Sequence, residues 1–188
     1  MSILPITVFG DDILRKKAAP VTEIKDDIVE IVDNMFSTMI NANGIGLAAN
    51  QVGINRRIFV IDVSAVEGYE KFKPMVFINP KIVSKSDELE SFEEGCLSIP
   101  ELKANVIRPK GIEISFYDLN MKEHKMETDD LVARVIQHEL DHLNGVLFID
   151  YLDEETKKKI KKHLNKIKNR KVEVNYPITK SPNYLLYK

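Results

Sequence analysis

The chain has 188 residues, 44% hydrophobic and 30% charged, with one cysteine and no tryptophan. That length suits one ordinary domain with a buried core, and the apolar content excludes wholesale disorder. A single cysteine closes no internal disulfide, which excludes a disulfide-stapled secreted scaffold and points to a reducing, cytoplasmic setting. The net charge of −2 gives no bulk argument for DNA binding.

The total hides an asymmetry. Residues 150–188 hold 11 Lys/Arg against 5 Asp/Glu, a net of +6, so residues 1–149 carry −8. Nine of those basic residues fall between 157 and 171 with no acid among them. No apolar run approaches the roughly 20 residues of a membrane span. Residues 1–5 lack the basic-then-apolar pattern of a secretory signal, so neither export nor membrane insertion is expected. No repeat or linker divides the chain, and one domain over residues 1–188 is expected.

Residues 23–42 place Ile28, Ile31, Val32, Met35 and Met39 on one helical face, with Asn43-Gly44 as the stop. Residues 44–51, Gly-Ile-Gly-Leu-Ala-Ala-Asn-Gln, read as a loop of small residues. Its backbone can lie against something extended, or it can be a plain flexible turn. A phosphate loop is disfavoured, because no GxGxxG or Walker pattern follows and a helix, not a strand, precedes it. Gln51 there offers a neutral amide donor of the kind that stabilises an oxyanion. Runs of β character lie at 57–63, 75–83, 103–107, 111–117 and 122–127. Residues 129–144 form a second helix, capped by Thr128 or Asp129 and stopped by Gly145, with Leu131, Val135, His138 and His142 on one stripe. Residues 153–168 open with acids and run into lysines, the polarity a helix dipole favours. The strands cluster between the first two helices instead of alternating with helices. The expected class is therefore α+β, with mostly antiparallel sheets.

The chemical signal is His138-Glu139-Leu140-Asp141-His142, an HExxH pattern on the second helix. Residues four apart share a helical face, so the two imidazoles can share one metal. Glu139, one residue on from His138, reaches a water beside the metal and not the metal itself. A catalytic site of this kind needs a third protein ligand. Phe148 stands where a metzincin has its third histidine, and beyond Glu154-Glu155 no Glu occurs until Glu173. His163 sits in the basic helix and is expected to be solvated. Cys96 is the better candidate, since Gly95 beside it permits close backbone approach and coordination itself stabilises a thiolate. The competing reading of a lone cysteine is a small buried hydrophobe.

Three segments together closely resemble the peptide deformylases. That family is marked by GxGLAAxQ, EGCLS and QHExDHL in this order, and the chain carries them complete at 44–51, 94–98 and 137–143. The resemblance spans roughly residues 3–168. It implies Cys96, His138 and His142 as metal ligands, with water in a fourth position. It also implies Glu139 as general acid/base, and Gln51 with the backbone N–H of Leu97 as the oxyanion site. Fe2+ is the implied physiological metal, with Zn2+ as an alternative. The implied substrate is the N-formylmethionyl end of a nascent peptide, and the implied architecture packs sheets around a central HExDH helix. The methionine pocket would be lined by Ile45, Phe92, Leu131 and Val135. Peptide backbone would pair with Ile45-Gly46 and with the Gly95 region, in the manner of strand addition.

Lys103 stands where some members have an arginine, and a lysine makes no planar bidentate contact. Residues 172–188 extend beyond the helix that ends many members; an edge strand packed back on the body is expected. The basic helix within 157–188 is either a solvated face or a contact to ribosomal RNA. Two other functions stand beside deformylation: an HExxH zinc endopeptidase, which here lacks its usual third ligand, and a non-catalytic structural metal module.

Overall fold

The computed structural model describes residues 2–186. Helix α1 spans Asp26–Asn41. It starts three residues later than the hydrophobic period suggests. Asn43 ends it in the left-handed region at φ 53°, a conformation asparagine tolerates, while the Gly44 N–H bonds the Met39 carbonyl at 2.9 Å. Strands follow at Gly46–Ala48 (β1), Ile58–Ile61 (β2), Met75–Lys85 (β3), Leu89–Cys96 (β4), Ile99–Pro109 (β5), Ile112–Tyr117 (β6) and Glu123–Thr128 (β7). Helices α2, Asp130–Leu143, and α3, Glu154–Lys168, complete the order. Gly145 at φ 76° closes α2, and a Cβ there would lie 2.6 Å from the Arg15 carbonyl oxygen.

Among the described residues there is a five-stranded sheet of order β1-β2-β3-β6-β7 and a two-stranded sheet β4-β5, with every strand pairing antiparallel. The α+β expectation holds. Two strands were not legible in sequence. β1 is a three-residue strand inside the segment expected to be a loop, fixed by Leu47 facing Val60 across to β2. β4 is polar and acid-rich, with poor strand propensity, and exists because β5 pairs along it.

Strand β2 is buried on both sides, which explains its unbroken Ile-Phe-Val-Ile run. Ile58 and Val60 face Ile31, Val32, Met35 and Met39 of α1. Phe59 and Ile61 face the other way, with Phe77, Phe116 and the Ala133, Ile136, Leu140 and Leu143 stripe of α2. The rings of Phe59 and Phe77 stack at 4.6 Å, and those of Phe77 and Phe116 lie 4.3 Å apart. A third cluster joins Ile99 and Val106 of β5 to Leu147, Phe148 and Ile149 and to Ile167 of α3. Helix α2 thus lies between the large sheet and the β4-β5 hairpin, and nearly its whole length is buried. That position, not the helix's own polarity, decides what its histidines meet.

Residues 172–186 do pack back, but not as the expected edge strand. Their one β-contact is an isolated parallel bridge, Ile6 to Ile178. Two prolines, Pro177 and Pro182, remove backbone donors there and prevent a longer ladder. No helix among the described residues is long and apolar enough to cross a membrane.

Candidate metal centre

Three elements bring the site together. On α2, His138 and His142 are one turn apart, and their rings meet edge to face with centroids 5.0 Å apart. On β4, Glu94 and Cys96 are two residues apart and so share a face, the one toward α2. The register shifts between Gly95 and Cys96, where β5 carries the extra residues. From the third side comes the turn Ala49–Val52, which carries Gln51.

Cys96, His138 and His142 offer donor atoms that all lie within 4.8 Å of one another. Cys96 Sγ is 3.1 Å from His142 Nε2. His138 Nδ1 is committed to Glu94 Oε2 at 2.9 Å, which leaves its Nε2 for the cavity. A thiolate and two imidazoles, close enough for one ion to bridge at about 2.0–2.3 Å, are a donor set suited to a divalent transition metal. The site fits a metal.

Glu139 is 4% exposed, and its Oε2 has no hydrogen-bond partner among the described residues. Burial pushes this carboxyl up to about 7, against the pull of the His138 charge. Strand β1 passes so close to it that a Cβ on Gly46 would lie 2.5 Å from Glu139 Oε1. Gln51 accepts from Ala48 N–H through Oε1 at 2.8 Å. That fixes the amide with Nε2 toward Ser98 Oγ at 3.2 Å and Cys96 Sγ at 3.5 Å.

The site opens on a cavity of about 440 Å³. Its lining includes Ile45, Gly46, Gln51, Phe92, Gly95, Cys96, Leu97, Leu131, Val135, His138 and Glu139. Of the residues that the resemblance assigns to the site, His142 alone is set behind the wall of the cavity. Strand β1 is the edge of its sheet, β4 has one unpaired side, and both border the cavity. Lys103 also lines it and pairs with Glu93 at 3.4 Å on the rim. His163 is not solvated: it is half-buried and hydrogen-bonds the Pro100 carbonyl at 2.8 Å.

The model of the polypeptide deformylase family matches residues 3–158. The chain belongs to that family. It is 47% identical over 176 residues to the peptide deformylase of Chlorobium phaeobacteroides, covering 94% of this chain and 95% of that one. The peptide deformylase of Prosthecochloris aestuarii is 44% identical over 176 residues, with 94% of each chain covered. A crystal structure of a peptide deformylase from Legionella pneumophila superposes with a TM-score of 0.82 at 35% identity, covering 90% of this chain and 98% of that one.

The sequence left unmarked a charged layer behind Cys96, His138 and His142 of this polypeptide deformylase family member. Glu94 receives Arg108 Nε at 2.7 Å and Nη2 at 3.0 Å, and Arg134 Nη1 at 3.0 Å. Arg108 also donates to Asp141 at 2.6 Å, and its guanidinium stands 4.7 Å from the centre of the Tyr151 ring. Burial alone would push the Glu94 carboxyl up, but His138 and Arg108 overcome it and hold the group at about 2. Glu94 is thereby a permanent anion that fixes the His138 tautomer and ring angle. Asn50 was also missed; its side-chain amide donates to the His142 carbonyl and ties the Gln51 turn to the end of α2. Glu94 was findable, as part of the EGCLS motif. Arg108, Arg134 and Asn50 carry no local signal, because their roles come from pairings 14 to 92 residues away.

Proposed function

We propose that this protein hydrolyses the N-formyl group from the initiator methionine of newly made polypeptides, releasing formate and a free amino terminus. The observation that carries the reading is the convergence of Cys96, His138 and His142 beside the unpartnered oxygen of Glu139, at the head of an apolar-lined cleft between two strand edges. We read the whole chain as one catalytic domain.

Cys96, His138 and His142 would hold one divalent ion. Their soft donor set favours Fe2+ or Zn2+ over Mg2+ or Ca2+, and Fe2+ is our choice for the physiological metal. When bound, the ion supplies Lewis acidity and a water whose pKa falls to about 7. The formyl carbonyl oxygen sits between the Gln51 amide and the Leu97 N–H, which donate to it as negative charge builds. Glu139 takes the proton of the attacking water and returns it to the departing amine nitrogen. Its raised carboxyl suits both halves of that exchange at neutral pH. The methionine side chain enters among Ile45, Phe92, Leu131 and Val135. The peptide backbone pairs with Ile45-Gly46 on one side and Gly95 on the other, so selection stops at the first residue and many proteins are accepted.

We place this work in the cytoplasm, on chains leaving the ribosome. Lys158, Lys161 and Lys162 of α3 are exposed, and this basic face would supply the contact to ribosomal RNA. The test of the main reading is formate release from formyl-Met-Ala-Ser by anaerobically purified protein, with its metal content measured. Cleavage of an unformylated casein digest without formate release would instead establish an endopeptidase. A filled fourth protein ligand position and no turnover would establish a structural metal module.

A further inference from the structure

The family match ends at residue 158, yet the chain beyond α3 returns to the site. The N–H of Ile6 bonds the Pro177 carbonyl at 2.8 Å, and the N–H of Thr179 bonds the Ile6 carbonyl at 2.9 Å. The Thr179 hydroxyl donates to Asp11 at 2.6 Å, and Arg170 pairs with the same carboxylate. Further on, the Leu186 N–H reaches the Gly53 carbonyl at 2.9 Å.

The N-terminal segment gripped in this way touches both donor-bearing segments. The Thr7 N–H bonds the Gln51 carbonyl at 2.8 Å, and the Phe9 N–H bonds the Ser98 carbonyl at 2.8 Å. One contact is direct. The Tyr176 hydroxyl donates to the carbonyl of Leu97 at 2.9 Å.

We propose that Tyr176, from the C-terminal segment, is a positioning residue that holds the Leu97 main-chain N–H at the reacting carbonyl. This rests on the reading of Leu97 as an oxyanion donor. A main-chain donor cannot be aimed by a rotamer; it is aimed only by what pins its peptide group. One end of that group is Cys96, whose sulfur is set by the histidines. The other end is Leu97, whose side chain closes on Gly44, where a Cβ would lie 2.8 Å from Leu97 Cδ1. The turn Leu97-Ser98, closed by the pairing of Cys96 with Ile99 and by the Phe9 N–H on the Ser98 carbonyl, restrains the segment as a whole. The Tyr176 hydrogen bond adds the restraint on the Leu97 carbonyl itself. The structure offers the Leu97 carbonyl this one side-chain donor among the described residues.

The test is Tyr176→Phe, which deletes the hydroxyl and keeps the ring. On formyl-Met-Ala-Ser, kcat should fall about tenfold with KM within about twofold, because the donor matters chiefly as charge develops. Metal content should stay that of the wild type, with kcat read well below the thermal midpoint of the variant. Amide hydrogen exchange at Leu97 should quicken. Unchanged kcat, unchanged exchange, or a fall in kcat matched by metal loss would each overturn the inference, leaving the segment as packing alone. Wild-type protein that releases no formate would remove the underlying reading, which separates that failure from this one.

Discussion

At the residue scale, the site is a set of groups made unusual by what surrounds them. Burial holds the Glu139 carboxyl up to about 7, which suits the proton exchange proposed for it. Glu139→Gln should keep the metal and lose turnover by about 10²–10⁴, measured as formate release beside elemental analysis. Gln51→Ala should cost about 10²–10³ in kcat, with metal content unchanged. Cys96→Ser should sharply reduce metal occupancy; full occupancy would mean that another group is the third ligand. Glu94 is the outer partner whose loss should be felt most. Glu94→Gln strips the counter-charge from buried Arg134 and one of the two carboxylate partners of Arg108, at an expected cost of about 3–5 kcal/mol of stability. The sign of the pH effect follows from its low folded value. A carboxyl at about 2 in the fold and near 4.5 unfolded stabilises the protein fully above 4.5, and that contribution drains away as pH falls toward 2. Acid unfolding of the metal-free protein should therefore steepen across that window, and the Glu94→Gln variant should show a flatter dependence.

At the scale of elements, each piece of backbone is shaped by one demand. Strand β1 passes within touching distance of Glu139, so Gly46→Ala should abolish turnover while Glu94 stays paired with Arg108 and Arg134. Helix α2 was legible in nearly full length, because its stripe, its cap position and its glycine stop agree. Helix α3 was legible from its run of acids into lysines, and Asp153 caps it by accepting the Thr156 N–H at 2.8 Å. The polar strand β4 was not legible, although it supplies Glu94, Gly95 and Cys96. Its residues have little strand preference of their own; the pairing with β5 and the closure on α2 make the strand. The element that bears Cys96 was therefore invisible while Cys96 itself was singled out by its motif.

At the scale of the molecule, three packed layers bring Cys96 to His138 and His142 from segments more than forty residues apart. The aromatic stack of Phe59, Phe77 and Phe116 supports α2 from beneath, so Phe59→Ala should cost about 3–5 kcal/mol in a denaturant titration and weaken metal retention with it. The C-terminal segment ties the first strand-like residues to the turn of Gln51 and to Leu97. A deletion of 157–188 would thus remove site supports along with the basic helix, and it cannot isolate ribosome binding. Replacing Lys158, Lys161 and Lys162 by glutamate is the cleaner test. It should weaken ribosome association, with a smaller salt dependence than the wild type, and leave turnover of formyl-Met-Ala-Ser intact; undiminished sedimentation with ribosomes would dispose of the contact.

The sequence by itself determined the α+β class, the helices, the HExDH motif, the cysteine and the family. Those features are local: helical period, residue spacing and short motifs are written in neighbouring residues. Only the tertiary structure decided how the lone cysteine reaches the histidines, that Arg108 and Arg134 close around Glu94, and that the tail returns to Leu97. Such contacts join distant parts of the chain, and their energies depend on burial and exact approach, which no stretch of neighbouring residues encodes. The acidic body and basic tail counted at the outset are likewise two charge regions of one fold, joined by the pairing of Asp11 with Arg170 and Thr179.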